Sequence, residues 1–409
     1  MKSKTAMLIG VFYESDLWVK YTKELGYEII ATHPLNIENK FYYDDIKKYI
    51  DVFYKIAYDD LDGLLQIAKR HNVSMLIPHP TSNDATIAAG YVNTELNLKG
   101  VSYKSALLTS SKYDFHQLLR KYDLPRPKFT VDEVNDSRIT FPCVVKPNYG
   151  AGSVGAKLIY TKKELLSFFE TKDKQNGYSL TKPYDYYIIQ EFVSGAIIMG
   201  CHAVVHNGKL TIFGRTYRDL IKERHALPYF YGQEFITNRD DITPYTYDQI
   251  EKVVNAAGID NCPFDLEVML NSDGDVISFI EFNLRPAEKA FNFINGRGGY
   301  EYCIREQVKL GTDLDCDFSE LETSVDNYIG VRYFKFKPGK IKSITWPKIP
   351  DNAIFFNTKL LNGSVIDNIW NVDTAIKNGS LIIVGNSVEE VVLDLSNFAD
   401  DIKIEYYKE

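Results

Sequence analysis

A chain of 409 residues exceeds one ordinary core, and at about 100–200 residues per domain it should divide into two or three. Its 45% hydrophobic and 25% charged residues are the mix of an ordinary globular protein, and a net charge of −8 argues against nonspecific binding to nucleic acid or acidic membrane while leaving room for a local phosphate site. The five cysteines, Cys143, Cys201, Cys262, Cys303 and Cys316, form no CxxC pair, which speaks against a disulfide framework or structural zinc and for buried reduced thiols in a cytoplasmic enzyme.

The apolar run Ala6–Phe12 is cut off by Glu14 and Asp16; it is too short to cross a membrane, no cleavage pattern follows it, and it reads as a first buried strand. Further strands are expected at Tyr27–Ala31, Val52–Ala57 and Val73–Pro78, with helices at Asp16–Leu25, Leu61–Arg70 and Asp84–Glu95. Such alternation builds a parallel sheet with helices on its faces. A helix over Lys112–Tyr122, stopped by Pro125 and Pro127, opens a different pattern. Strands follow at Phe141–Lys146, Ala156–Tyr160, Tyr186–Gln190, Gly200–Val205, Lys209–Phe213, Leu266–Leu270 and Val276–Phe282, with Asn207-Gly208 marking a tight hairpin. Beyond residue 325 come strands Tyr328–Lys335, Ile341–Trp346 and Leu381–Val384 and the helix Ser387–Ser396. The expected fold is α/β and α+β multidomain: an N-terminal parallel α/β domain over 1–105, an α+β domain over 106–325 and a small β-rich C-terminal domain over 326–409.

Residues 150–155, Gly-Ala-Gly-Ser-Val-Gly, spell the dinucleotide fingerprint, but that motif needs a helix directly after its glycines. Here a strand follows, in mid-chain. A hairpin loop over phosphates is the better reading. Glycines let the backbone come close to anionic oxygens, and Lys146 on the preceding strand supplies an ammonium.

In Ile280–Pro286, Glu281, Asn283 and Arg285 alternate onto one strand face, and Ile280, Phe282 and Leu284 onto the other. A carboxylate and an amide two residues apart offer hard oxygen ligands suited to Mg²⁺ or Mn²⁺, and Arg285 offers a planar fork to a phosphate oxygen. Upstream, Asp265 and Glu267 share a face across the Asp273-Gly274 turn. A hairpin would set these acids beside Glu281, where they repel unless a cation sits between them. The bland alternative is a half-solvated hairpin with its polar residues outward.

Pro142–Pro147 followed by the glycine loop resembles the nucleotide-binding lysine strand and loop of the ATP-grasp superfamily. Ser111-Lys112 before a helix ending at Leu124–Pro127 is similar to that family's first ATP lysine, and Ile189–Gly195 resembles its interlobe hinge. The resemblance runs in order over about residues 1–325, and the tail looks like the small closing β domain of some members. It implies an ATP-grasp fold with a central subdomain at about 125–195. It places ATP on Lys112, Lys146, Gly150, Gly152 and Ser153 and on the hinge residues Gln190, Glu191, Phe192 and Val193. It gives two Mg²⁺ (or Mn²⁺) ions to Glu267, Glu281 and Asn283, with Arg285 and Lys146 acting on the transferred phosphate. The position aligned with the family's ribose-binding acid is Ile197, which cannot bind hydroxyls.

A basic run, Arg215, Arg218, Lys222, Arg224 and His225, is either a solvated loop or a capture loop for an anionic substrate. Arg297 lies in a glycine-rich stretch resembling the family's acceptor site. His202 and His225 read as structural sooner than catalytic. The implied activity is an ATP-dependent carboxylate–amine ligase working through an acyl phosphate. The alternatives are a carboxylase activating bicarbonate and a nucleotide-binding regulatory protein without chemistry, and the intact Glu281-Asn283-Arg285 set speaks against the latter. Expected partners are a small-molecule carboxylate and an amine, with no nucleic acid or membrane; a homodimer is allowed.

Overall fold

The computed structural model describes residues 4–11, 15–35, 46–80, 82–150, 155–171, 186–219, 233–236, 242–285, 300–318, 328–366 and 377–407. The first lobe holds β1 (Lys4–Ile9), α1 (Ser15–Glu24), β2 (Tyr27–His33), β3 (Val52–Lys55), α2 (Leu61–Arg70), β4 (Val73–Pro78) and α3 (Asn83–Leu96). Its strands pair in parallel in the order β3-β2-β1-β4. Along β1, Ala6 and Leu8 pack with Trp18 and Val19 of α1, while Met7 and Ile9 pack with α2 and α3 on the other face. A sheet covered on both sides needs continuous apolar strands, which is why Ala-Met-Leu-Ile reads as it does. Asp60 and Ser82 cap α2 and α3 by accepting from the backbone of Gly63 and Ala85.

Next come α4 (Tyr103–Ser110) and α5 (Lys112–Lys121), then a small antiparallel sheet of β5 (Thr130–Val131), β6 (Cys143–Pro147), β7 (Lys157–Ile159) and β8 (Tyr187–Glu191), with α6 (Lys162–Thr171) after β7. β7 returns antiparallel to β6, so the glycine loop joins two strands and the dinucleotide fingerprint is a coincidence of spelling. The larger sheet is built from β9 (Ile197–His206), β10 (Lys209–Asp219), β11 (Gln233–Ile236), β12 (Cys262–Leu270), β13 (Val276–Asn283), β14 (Tyr328–Tyr333), β16 (Ala353–Asn357) and β18 (Ser380–Gly385), in the order β13-β12-β9-β10-β11-β14-β18-β16. The largest core lies under β9, β12 and β13, where Met199, Cys201, Leu266 and Phe282 meet Phe115 and Leu119 of α5 and Ile250 and Val253 of α7 (Pro244–Ala257). α8 (Tyr300–Lys309) covers part of the other face: its Cys303 packs on Val204 and Phe213.

The β-rich tail divides. β14, β18 and β16 continue the large sheet, with α9 (Val388–Asp400) packed on it, whereas β15 (Gly339–Thr345), β17 (Val365–Ile366) and β19 (Lys403–Tyr406) make a separate sheet. α4 runs through the expected 105/106 boundary, and the 325/326 boundary lies outside the described residues.

Sequence reading overlooked α4, α6, α7 and α8. For α7 the signals were present: Thr243 caps it, Pro244 occupies the first turn, and Gly258 closes it at φ +65°. Ile280 is a correction. A bulge shifts the β12–β13 register there, so Phe279 and Phe282 enter the core cluster together, while Ile280 is buried outside it.

Four of the five cysteines are buried and all are unpaired. Among the described residues no helix is long and apolar enough to cross a membrane.

Candidate functional site

The floor of the cleft is the face of β9, β12 and β13 away from the main core. Glu267 stands directly opposite Glu281, and Asp265 opposite Asn283. Paired positions on an antiparallel ladder hold their side chains about 4.5–5.5 Å apart at Cβ, so the acids are neighbours by construction. Glu267 and Asn283 are buried. Lys112, the first residue of α5, sits 3.2 Å from Glu281 Oε2, and the Asn283 amide donates to Glu281 Oε1 at 3.0 Å. Burial pushes the Glu281 carboxyl up, but Lys112, Asn283 and Lys146 overcome it and hold the group below the usual carboxylate range.

The roof is one face of the small sheet. Cys143, Val145 and Ile189 point to its own core, and by alternation Val144, Lys146, Ile188 and Gln190 share the opposite face, paired Val144 with Gln190 and Lys146 with Ile188. Burial, reinforced by Lys112, lowers Lys146 to about 8 despite Glu281 and Glu267. Gln190 is buried and its Oε1 has no hydrogen-bond partner among the described residues. Glu191 faces elsewhere: its carboxylate accepts from the Lys128 backbone at 2.6 Å and lies 3.0 Å from Lys128 Nζ. Phe192 and Val193 follow as half-buried residues.

The residues that fix this geometry were not singled out from sequence. Asn148 is fully buried. It donates to Ser111 Oγ at 3.1 Å, accepts from the Tyr113 backbone at 2.7 Å, and its carbonyl accepts from Lys112 N at 3.1 Å. It thereby pins the start of α5 beside the glycine loop, and Lys112 donates to the Gly150 carbonyl at 2.8 Å. Gly150 has φ +113°, a conformation that favours glycine. Asn83, at the start of α3 in the other lobe, donates to Asn283 Oδ1 at 3.3 Å and accepts from Arg285 Nε at 3.2 Å. Each is an amide of ordinary sequence context, and only its partners distinguish it. His116, lowered to about 3 by burial and Lys146, bridges Thr130 Oγ1 at 2.6 Å and the bulged Ile280 carbonyl at 3.1 Å, tying roof to floor.

His202 lies on the floor 3.3 Å from Asp265 and 3.2 Å from Thr216 Oγ1. Gly200 is needed beside it, because a Cβ there would meet Thr216 Oγ1 at 2.6 Å. Arg215 is 1% exposed and pairs with Cys201, a core residue, so it occupies the face of β10 opposite Thr216. Ile197, which is 43% exposed, is no part of the core. Gly152, Ser153, Lys222, Arg224, His225 and Arg297 lie outside the described residues, as does the Arg218 side chain.

A nucleotide fits these walls. Gln190 Oε1 is an orphaned buried acceptor suited to an amino N–H, and Lys112 and Lys146 supply cations for phosphate. A divalent cation fits in part. Among the described residues no three His, Cys, Asp or Glu converge, but two carboxylates and an amide suffice for Mg²⁺, which takes other ligands from phosphate and water.

Residues 139–291 match the profile of the ATP-grasp domain family. The chain carries an ATP-grasp domain. The match encloses Lys146, the glycine loop, the hinge and the β12–β13 hairpin; Lys112 precedes it. D-alanine–D-alanine ligase A of Bacillus cereus is 27% identical over 165 residues, 38% of this chain and 52% of that protein. D-alanine–D-alanine ligase of Phocaeicola vulgatus is 23% identical over 247 residues, 55% of this chain and 71% of that protein. The L-amino acid ligase structure from Bacillus licheniformis superposes over 100% of both chains with a TM-score of 0.73 at 15% identity, a likeness of fold. The arrangement of a parallel lobe before antiparallel ones is thus the ATP-grasp architecture expected from sequence.

Proposed function

We propose that this ATP-grasp chain is an ATP-dependent ligase that activates a carboxylate as an acyl phosphate for attack by an amine, releasing ADP and phosphate. One observation carries the reading: Glu267 and Glu281 face each other across β12–β13 while Lys112 and Lys146 approach the same point. Opposed acids and lysines in one cleft suit a reaction that needs positioning and charge neutralisation more than a covalent residue. Lys112 and Lys146 bind phosphate oxygens, and Gln190 with the backbone after it holds the base. Arg285, kept in place by Asn83, steadies charge on the transferred group. Glu267, Glu281 and Asn283 hold Mg²⁺, or Mn²⁺, which when bound neutralises phosphate charge. Two ions are proposed. The amine then displaces phosphate, because phosphate is a good leaving group where carboxylate oxygen is not.

The relatives' printed names, ligases of D-alanine and of L-amino acids, support an amino acid as one substrate. Glu281→Gln keeps the shape and removes the charge. It is expected to abolish ATP- and carboxylate-dependent phosphate release and to lower thermal stability modestly near neutrality, since Lys112 and Lys146 lose the carboxylate that balances them. Near wild-type turnover at limiting magnesium would refute the assignment. ADP release in a screen of amino acids, compared with bicarbonate alone, separates ligase from carboxylase.

A further inference from the structure

Behind Arg285 lies a cavity of about 60 Å³, walled by the edge strand β4, the start of β12 and α8. Most of its lining is aliphatic, with Leu76 and Leu284 among it. Polar side chains also line it, two of them buried amides. Asn93 on α3 and Gln307 on α8 are each 4% exposed, and neither Asn93 Oδ1 nor Gln307 Oε1 has a hydrogen-bond partner among the described residues. The orientation of Asn93 is fixed, because its Nδ2 donates at 3.1 Å to the Val101 carbonyl, which can only accept. Gly100 closes behind it at φ +127°, where a Cβ would meet Asn93 Nδ2 at 2.7 Å. Gln307 Nε2 is engaged with Cys303 Sγ at 3.0 Å. Two buried acceptor oxygens without donors are costly, and each calls for an N–H or O–H from whatever fills the space.

The dimensions and charges narrow the occupant. At about 30 Å³ per small molecule of water size, the cavity takes a few heavy atoms. Arg285 lines it and its positive charge opposes a cationic guest, while Lys99, also on the wall, is paired with Asp313 at 2.8 Å. The aliphatic walls likewise favour a neutral guest. Arg285 belongs to both spaces: it lines the cavity, and its Nε donates to Asn83 beside Asn283 in the catalytic cleft.

We propose that this cavity is a holding chamber for a small neutral amine, from ammonia to ethylamine in size, which donates its N–H groups to Asn93 and Gln307. Its assignment as the chamber of the attacking nucleophile rests on the ligase reading; its capacity to bind such amines does not. Only the unprotonated amine carries the lone pair that forms the C–N bond. Phosphate leaves with the electrons of the broken C–O bond, and the amine nitrogen then releases a proton.

Binding is tested on the full chain without ATP, by thermal unfolding in methylammonium chloride from pH 7.5 to 9.5. Wild type should rise by about 3 °C as free methylamine becomes saturating, since a ligand bound only by the native state stabilises it. The rise should follow the free base and not total amine, relative to sodium chloride at matched ionic strength. Tetramethylammonium chloride, without N–H groups, should give none. Gln307→Leu, which removes one acceptor at similar volume, should abolish the rise, and Gln307→Glu, which keeps it, should retain part. An equal rise in Gln307→Leu, or in tetramethylammonium, overturns the chamber. Once a carboxylate supporting turnover is found, Gln307→Leu should raise KM for methylamine at least about tenfold with KM for ATP unchanged. An unchanged amine KM alongside intact binding overturns the nucleophile role alone.

Discussion

Lys146 is a buried cation whose surroundings work against its charge. Burial and Lys112 lower it to about 8, so the empty protein holds a cation it would sooner discharge. The folded value lies below the unfolded one of about 10.4. Between the two, the unfolded chain binds more protons, so this group's contribution to stability rises with pH from about 8 upward. Lys146→Met should therefore stabilise the apo protein near neutrality and flatten that rise, as read by urea unfolding of both proteins from pH 7 to 10.5. The same change should weaken ATP by about 1.5–3 kcal/mol, the usual loss for a charge-assisted contact, measured by calorimetry. A residue that costs stability when the site is empty and contributes affinity when it is full is what a functional lysine looks like. An ATP affinity equal to wild type would place Lys146 outside the nucleotide site.

At the scale of elements, the site depends on where one helix begins. α5 starts at Lys112 because Ser111 caps it, accepting from Asp114 N at 3.2 Å. Its position against β6 is set by the Asn148 amide and carbonyl. Asn148→Ala removes the acceptor for a backbone N–H and should destabilise the fold by about 1–3 kcal/mol. It should also raise KM for ATP, because Lys112 is then free to leave Gly150 and Glu281. Urea unfolding and an ATP titration check both, and a loss of stability with unchanged ATP affinity would separate the staple from the site. The bulge at Ile280 has a comparable role: without it Phe279 and Phe282 would alternate onto opposite faces, and the Ile280 carbonyl would not meet His116.

At the scale of the molecule, the lobes meet at the chemistry. Asn83, from the N-terminal lobe, bridges Asn283 and Arg285. Tyr21 on α1 also donates to Glu301 on α8 at 2.6 Å, and Arg305 stacks on the Tyr21 ring at 4.9 Å. This second brace leaves Asn83 free to serve orientation more than cohesion. Asn83→Ala should thus lower kcat at least about tenfold while KM for ATP and the melting temperature change little, because an interaction made mainly in the transition state is lost. A matching fall in stability would make Asn83 an interlobe strut instead.

The alternation of apolar and acidic residues showed from sequence which face of β12 and β13 carries the acids, because a regular strand's side-chain period is two, but it did not show the bulge that breaks that period at Ile280. The lysine strand, the glycine loop read as a hairpin and the parallel order of the first lobe were legible for similarly local reasons. Asn83, Asn148 and His116 were not, since each acts through partners 14 to 202 residues away and no local pattern marks them. Nor could sequence show that Gln190 faces the cleft while Glu191 turns to Lys128, or that the tail's strands divide between two sheets. Those outcomes belong to strand pairing and packing between distant segments, which depend on the whole chain's burial and are decided only when it has folded.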